Sequence, residues 1–121
     1  MKSFRAFGFE RHGVYVDERD PNIVHHAELV WRDRMVMVSS VSDTEYSRAA
    51  RLKTAAEAGG PTSGLYLVVE GVDAHADRAR AAGADIFSAP EDKDYGGRGY
   101  SARDPEGNVW SFGDYDPWAQ A

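Results

Sequence analysis

A chain of 121 residues, 42% apolar, 12% aromatic and 28% charged, has the size and composition of one globular domain, not of a disordered or low-complexity segment. Fourteen Lys and Arg against twenty Asp and Glu leave a net charge of −6, so the basic footprint of a nucleic-acid or anionic-membrane binder is missing. The absence of cysteine excludes disulfide frameworks, thiolate metal sites and Cys nucleophiles, and with no signal-like start and no apolar run longer than Leu65–Val69 a cytoplasmic protein is expected.

Taken in chain order, Met1 to Phe9 carries Phe4, Ala6 and Phe7 at rough helical spacing with Gly8 as a stop, and reads as the last turns of a helix. Gly13 to Val16 is a short β-favouring run, followed by a charged turn from Asp17 to Asn22. His25 to Trp31 alternates, with Ala27, Leu29 and Trp31 on one face and His26, Glu28 and Val30 on the other. Arg32-Asp33 offers a tight connection to a second run, Met35 to Ser39. Asp43 to Ala58 changes to helical spacing, with Ser42 or Asp43 as the expected N-cap and Gly59-Gly60-Pro61 as the stop. A second unit follows: a strand at Leu65 to Val69, an Ala- and Arg-rich helix at Ala74 to Ala82 in which His75 is expected to face solvent, and a strand at Asp85 to Ala89. Two further strands, Arg98 to Arg103 and Asn108 to Gly113, flank the turn Asp104-Pro105-Glu106-Gly107. Two copies of one supersecondary unit, the first cut short, and more strand than helix give an α+β expectation with a curved, mostly antiparallel sheet. Residues 1–58 form the first unit with a linker helix, 62–113 the second, and 114–121 a tail, all within one domain, 1–121.

The segment Arg103-Asp104-Pro105-Glu106-Gly107-Asn108-Val109-Trp110-Ser111-Phe112-Gly113, preceded by Tyr95-Gly96-Gly97-Arg98-Gly99-Tyr100, resembles the closing hairpin of the vicinal oxygen chelate superfamily, in its small glyoxalase and bleomycin-resistance-like branch. Val72-Asp73-Ala74-His75 with Ala82-Gly83-Ala84 resembles its second-module helix, Phe4 to Glu10 the end of its first-module helix, and His26-Ala27-Glu28-Leu29 a strand of its first module. The resemblance implies paired βαβββ modules curling around a cleft, with the opening strand of the first module lacking. It also implies a homodimer, with modules packed across or exchanged between chains. Members of this superfamily include metal-dependent isomerases and dioxygenases as well as metal-free drug-binding proteins, so the site must decide the function.

The resemblance places metal ligands on the outer strands of both modules; three of these positions fall at Gly64, near Met37 and at Ser111, and the fourth on the lacking strand. None of those three residues is a competent ligand for a hard divalent cation, so neither metal nor other cofactor is expected. With Asp104 to Gly107 as a four-residue turn, Arg103 opposes Asn108, Ala102 opposes Val109 and Tyr100 opposes Ser111, and opposed residues share a face. Since the resemblance puts Ser111 in the cleft, Arg98, Tyr100, Ala102 and Val109 are expected there too, with Trp110 and Phe112 turned away. Alternation adds Tyr66 and Val68. A two-residue turn at Arg32-Asp33 adds His26, Glu28, Val30, Met35, Met37 and Ser39, whereas a slip of one residue exposes Ala27, Leu29 and Trp31 instead. The candidate ligand-binding set is His26, Glu28, Met37, Tyr66, Arg98, Tyr100 and Ser111, with no catalytic residue assigned. Aromatic walls, adaptable methionine and a few polar anchors suit an aromatic or amphipathic, antibiotic-like small molecule bound without metal. The alternatives are a metal-dependent glyoxalase- or dioxygenase-like enzyme, or a structural dimer with no ligand.

Overall fold

The computed structural model describes residues 2–119; Met1, Gln120 and Ala121, the ends of the expected helix and tail, lie outside the described residues. A short helix α1 (Lys2–Ala6) leads into β1 (Glu10–Val16), β2 (Val24–Trp31) and β3 (Arg34–Val38), which form an antiparallel sheet in that order. Two short helices, α2 (Glu45–Ala50) and α3 (Ala55–Ala58), cross to the second unit: β4 (Gly64–Val68), α4 (Val72–Ala81), β5 (Asp85–Asp92), β6 (Arg98–Arg103) and β7 (Val109–Gly113). Its sheet runs β4-β7-β6-β5, with β4 parallel to β7 and the remaining pairs antiparallel. The α+β class and the two-module plan agree with expectation: β1 to β3 repeat the β5 to β7 arrangement, and the second sheet has one strand more than the first.

Local chemistry explains most boundaries. The expected single helix over Asp43–Ala58 is two, because Thr44 and Thr54 each form a capping box, with Ser47 and Glu57, while Arg51 enters the left-handed region at φ 56° and ends the first. The N-cap is therefore Thr44, not Ser42 or Asp43. At Arg32-Asp33 the two-residue turn holds, with Trp31 opposite Arg34 and Glu28 opposite Met37. Strand β1 is longer than Gly13–Val16, starting at Glu10, and it carries a bulge at His12 between the Arg11–Leu29 and Gly13–Glu28 pairs.

Both sheets turn one face to a single core. Ala27, Leu29 and Trp31 from the first sheet, Tyr100, Ala102, Trp110 and Phe112 from the second, and Val72, Ala76 and Ala79 from α4 are all buried. Phe9 joins the halves, its ring 6.4 Å from Trp31 and 5.7 Å from Trp110. Phe7 lies 4.9 Å from Phe112 and 5.5 Å from Trp110. The end of the first-module helix thus packs on the second module's sheet beside α4.

His75, expected at the surface, is buried. Its position in α4 points at the second sheet, where the Phe112 ring lies 4.7 Å away at a 38° tilt. The carbonyl of Phe7 only accepts, so His75 Nε2–H donates to it at 3.0 Å, and Nδ1 accepts from the Tyr100 hydroxyl at 2.6 Å. The ring is held neutral: burial, and after it the nearby Arg78 and Arg32, depress its pKa against the opposing bond to Phe7. A depressed folded-state value means that the unfolded chain binds the extra proton, so this contribution is complete above about pH 6.5 and is lost as pH falls below it. Urea midpoints measured between about pH 8 and 5 should fall with acid, and His75→Gln should flatten that slope. A His75→Gln slope equal to the parent's would refute the assignment.

Candidate functional site

With the buried faces sharing one core, the other face of each sheet is open and directed away from it. The candidate site therefore divides into two walls.

The first wall lies on β1, β2 and β3. Alternation brings His26, Glu28 and Val30 outward, with Met35 and Met37 opposite the latter two. Met37 and Tyr15 are 62% and 60% exposed, large apolar side chains left open to solvent. The bulge re-aims His12 so that its Nδ1 meets Glu28 Oε1 at 2.9 Å, while His26 Nε2 meets Oε2 at 3.0 Å. Tyr15 stacks on His26, centroids 6.0 Å apart and planes 27° apart. Hydrogen bonds from His26 and then His12 hold the Glu28 carboxyl below the usual carboxylate range, so it is an ionised acceptor. The carboxylate stands between the two imidazoles; among the described residues no group of three His, Cys, Asp or Glu is arranged to hold a metal ion.

The second wall lies on β4, β7 and β6. Tyr66 and Ser111 are neighbours across β4 and β7, and Ser111 Oγ bonds Ser101 Oγ at 2.7 Å. Tyr66 lies across Gly113, where a Cβ would stand 2.8 Å from its hydroxyl, and donates to the Tyr115 carbonyl at 2.7 Å. Burial, followed by Tyr95 and Asp114, pushes the Tyr66 phenol pKa up, so it stays a donor. Arg103 lies over the Phe87 ring at 4.4 Å and 3.6 Å from Asp85. A separate depression of about 500 Å³ sits at the end of the second module, lined by Ala6, Ala82–Asp85 and the Arg103–Pro105 turn, and meets the second wall only at its edge, at Arg103 and Asp85.

Five of the seven sequence-predicted residues thus reach an open face: His26, Glu28 and Met37 on the first wall, Tyr66 and Ser111 on the second. Arg98 and Tyr100 do not. The turn at Asp104 is a three-residue loop, Pro105 to Gly107, with Asp104 N–H donating to the Asn108 carbonyl and Gly107 at φ 88°. That one-residue difference sets Tyr100 opposite Phe112 and Ser101 opposite Ser111, reversing the expected face of β6. Tyr100 is buried, and burial drives its phenol pKa far up. Arg98, on the same side, grips Asp73 in the first turn of α4 bidentately at 2.9 and 3.0 Å and reaches Asp92 at 3.3 Å. Sequence reasoning missed His12 and Tyr15. The available signal was Gly13 inside a β-favouring run, which marks a bulge.

No helix among the described residues is long and apolar enough to cross a membrane. Among curated proteins none matches the chain. Solved structures do. TioX from Micromonospora sp. ML1 is 31% identical, with 90% of this chain and 79% of that one covered and a TM-score of 0.60. UcmS2, 22% identical, covers 93% of this chain and 88% of its own with a TM-score of 0.63, and shares the fold. So does a glyoxalase/bleomycin resistance protein/dioxygenase family enzyme from Burkholderia phytofirmans PsJN, 23% identical over 93% of this chain and 86% of that one, TM-score 0.62. A family model matches residues 5–112, nearly the whole described chain, and the protein belongs to the Glyoxalase/Bleomycin resistance protein/Dioxygenase superfamily.

Proposed function

We propose that the protein is a metal-independent binding protein for an aromatic or amphipathic, antibiotic-like small molecule, working as a homodimer. The observation that carries this reading is the exposure of Tyr15 and Met37 beside the His12–Glu28–His26 cluster, on a sheet face with nothing over it. Large apolar side chains grouped around a few polar anchors are the ordinary lining of a small-molecule site. The donor set supports the absence of a resident metal: Gly64 has no side chain, Met37 is a thioether, and Ser111 is committed to Ser101. These residues do not fit a divalent cation, and no step is assigned to one.

The same geometry supports the homodimer. Each wall is open, and the two point away from one shared core, so one chain cannot close a cleft around a ligand. A wall from the partner set against this one would do so, either by packing or by exchange of modules. Elemental analysis of untagged, chelator-free protein should find less than about a tenth of an equivalent of metal per chain, with sedimentation giving a dimer mass at micromolar concentration. Near one equivalent of metal would overturn the reading in favour of a metal-dependent glyoxalase- or dioxygenase-like enzyme, and a monomer would overturn the shared cleft.

A further inference from the structure

The first wall has a hydrogen-bonding polarity that narrows the ligand class, granted the reading of the open faces as ligand walls. An ionised Glu28 can only accept, so both imidazole nitrogens facing it must donate. His12 uses Nδ1–H on Oε1 and His26 uses Nε2–H on Oε2. That fixes both tautomers while the rings are neutral and leaves lone pairs on His12 Nε2 and His26 Nδ1, with no protein partner among the described residues. The remaining groups facing the trio are Glu10 and Tyr15 from β1 and the uncharged Met35 and Met37 from β3. The strand cations Arg11 and Arg34 pair with Leu29 and Trp31, in register with the core side. The wall is thus rich in acceptors, anionic, and floored by an aromatic ring and a thioether.

The geometry points to a planar aromatic cation with N–H donors on its edge, such as an amidine, a guanidine or an amino-substituted heterocycle, as the ligand of this wall. Its ring covers Tyr15 and Met37, while its donors reach the Glu28 carboxylate and the imidazole lone pairs.

Three tricyclic probes of similar outline test this on the full chain: proflavine, a cation with ring amines; acridine, neutral in mild alkali; and anthracene-2-carboxylate, an anion. At about pH 8 proflavine should bind at least about tenfold more tightly than the carboxylate. Glu28→Gln should abolish the preference, and His26→Asn should weaken proflavine in the same direction, with thermal unfolding confirming that both variants fold. Equal binding of all three probes, unaltered by Glu28→Gln, would overturn the ligand class and leave the wall reading standing. Failure of all three to bind would overturn both.

Discussion

Replacing Phe7 with alanine should cost about 3–5 kcal/mol, enough to consume much of the stability of a domain this size. The ring is fully buried between Phe112 and Trp110, and the residue's carbonyl takes the His75 hydrogen bond that ties α1 to α4. Truncation opens a cavity where the first module meets the second, so the urea midpoint should collapse for both modules together. Met37→Ala, on the open face, should shift stability by less than about 0.5 kcal/mol. A Phe7→Ala protein within about 1 kcal/mol of the parent would show that α1 does not hold the two modules together.

Asp104→Ala should cost about 2–4 kcal/mol, by a different route. This buried carboxylate organises the β6–β7 hairpin: Oδ1 accepts from the Glu106 and Asn108 amides at 2.9 and 3.0 Å, and Oδ2 from the Trp110 indole at 3.0 Å. Alanine leaves the indole N–H buried without a partner and releases the loop that fixes the strand register. Asparagine keeps one acceptor and should recover about half of the loss. Hydrogen exchange at Glu106 and Asn108 should accelerate in Asp104→Ala beyond the global change; amides that accelerate only as far as the global loss of stability requires would count against the role. The segment that carries the clearest family resemblance is, on this account, a structural device that turns Ser101 and Ser111 outward.

Much of the first wall was legible in the sequence because alternation is a local rule. Once Arg32-Asp33 was read as a two-residue turn, His26, Glu28, Met35 and Met37 had to share a face, and they do. The same rule correctly sent Trp110 and Phe112 inward. It failed for Arg98 and Tyr100, because alternation gives a face only when the register is known, and the left-handed Gly107 removes one residue from the turn. The burial of His75 was not legible either, since helical position alone does not say which sheet residue waits opposite with a hydroxyl.

The sequence by itself determined the α+β class, the repeated strand pattern and the superfamily resemblance. All of these depend on residue identity or on periods of a few positions. Only the tertiary structure decided that His12 reaches Glu28 across sixteen residues through a bulge, that Arg98 serves α4 and Tyr100 the core, and that the site is two walls facing away from one shared interior. Those outcomes depend on which distant surface covers each face. Burying Phe7, Phe9, Trp31 and Trp110 together selects that arrangement, and it leaves the polar and thioether faces outside.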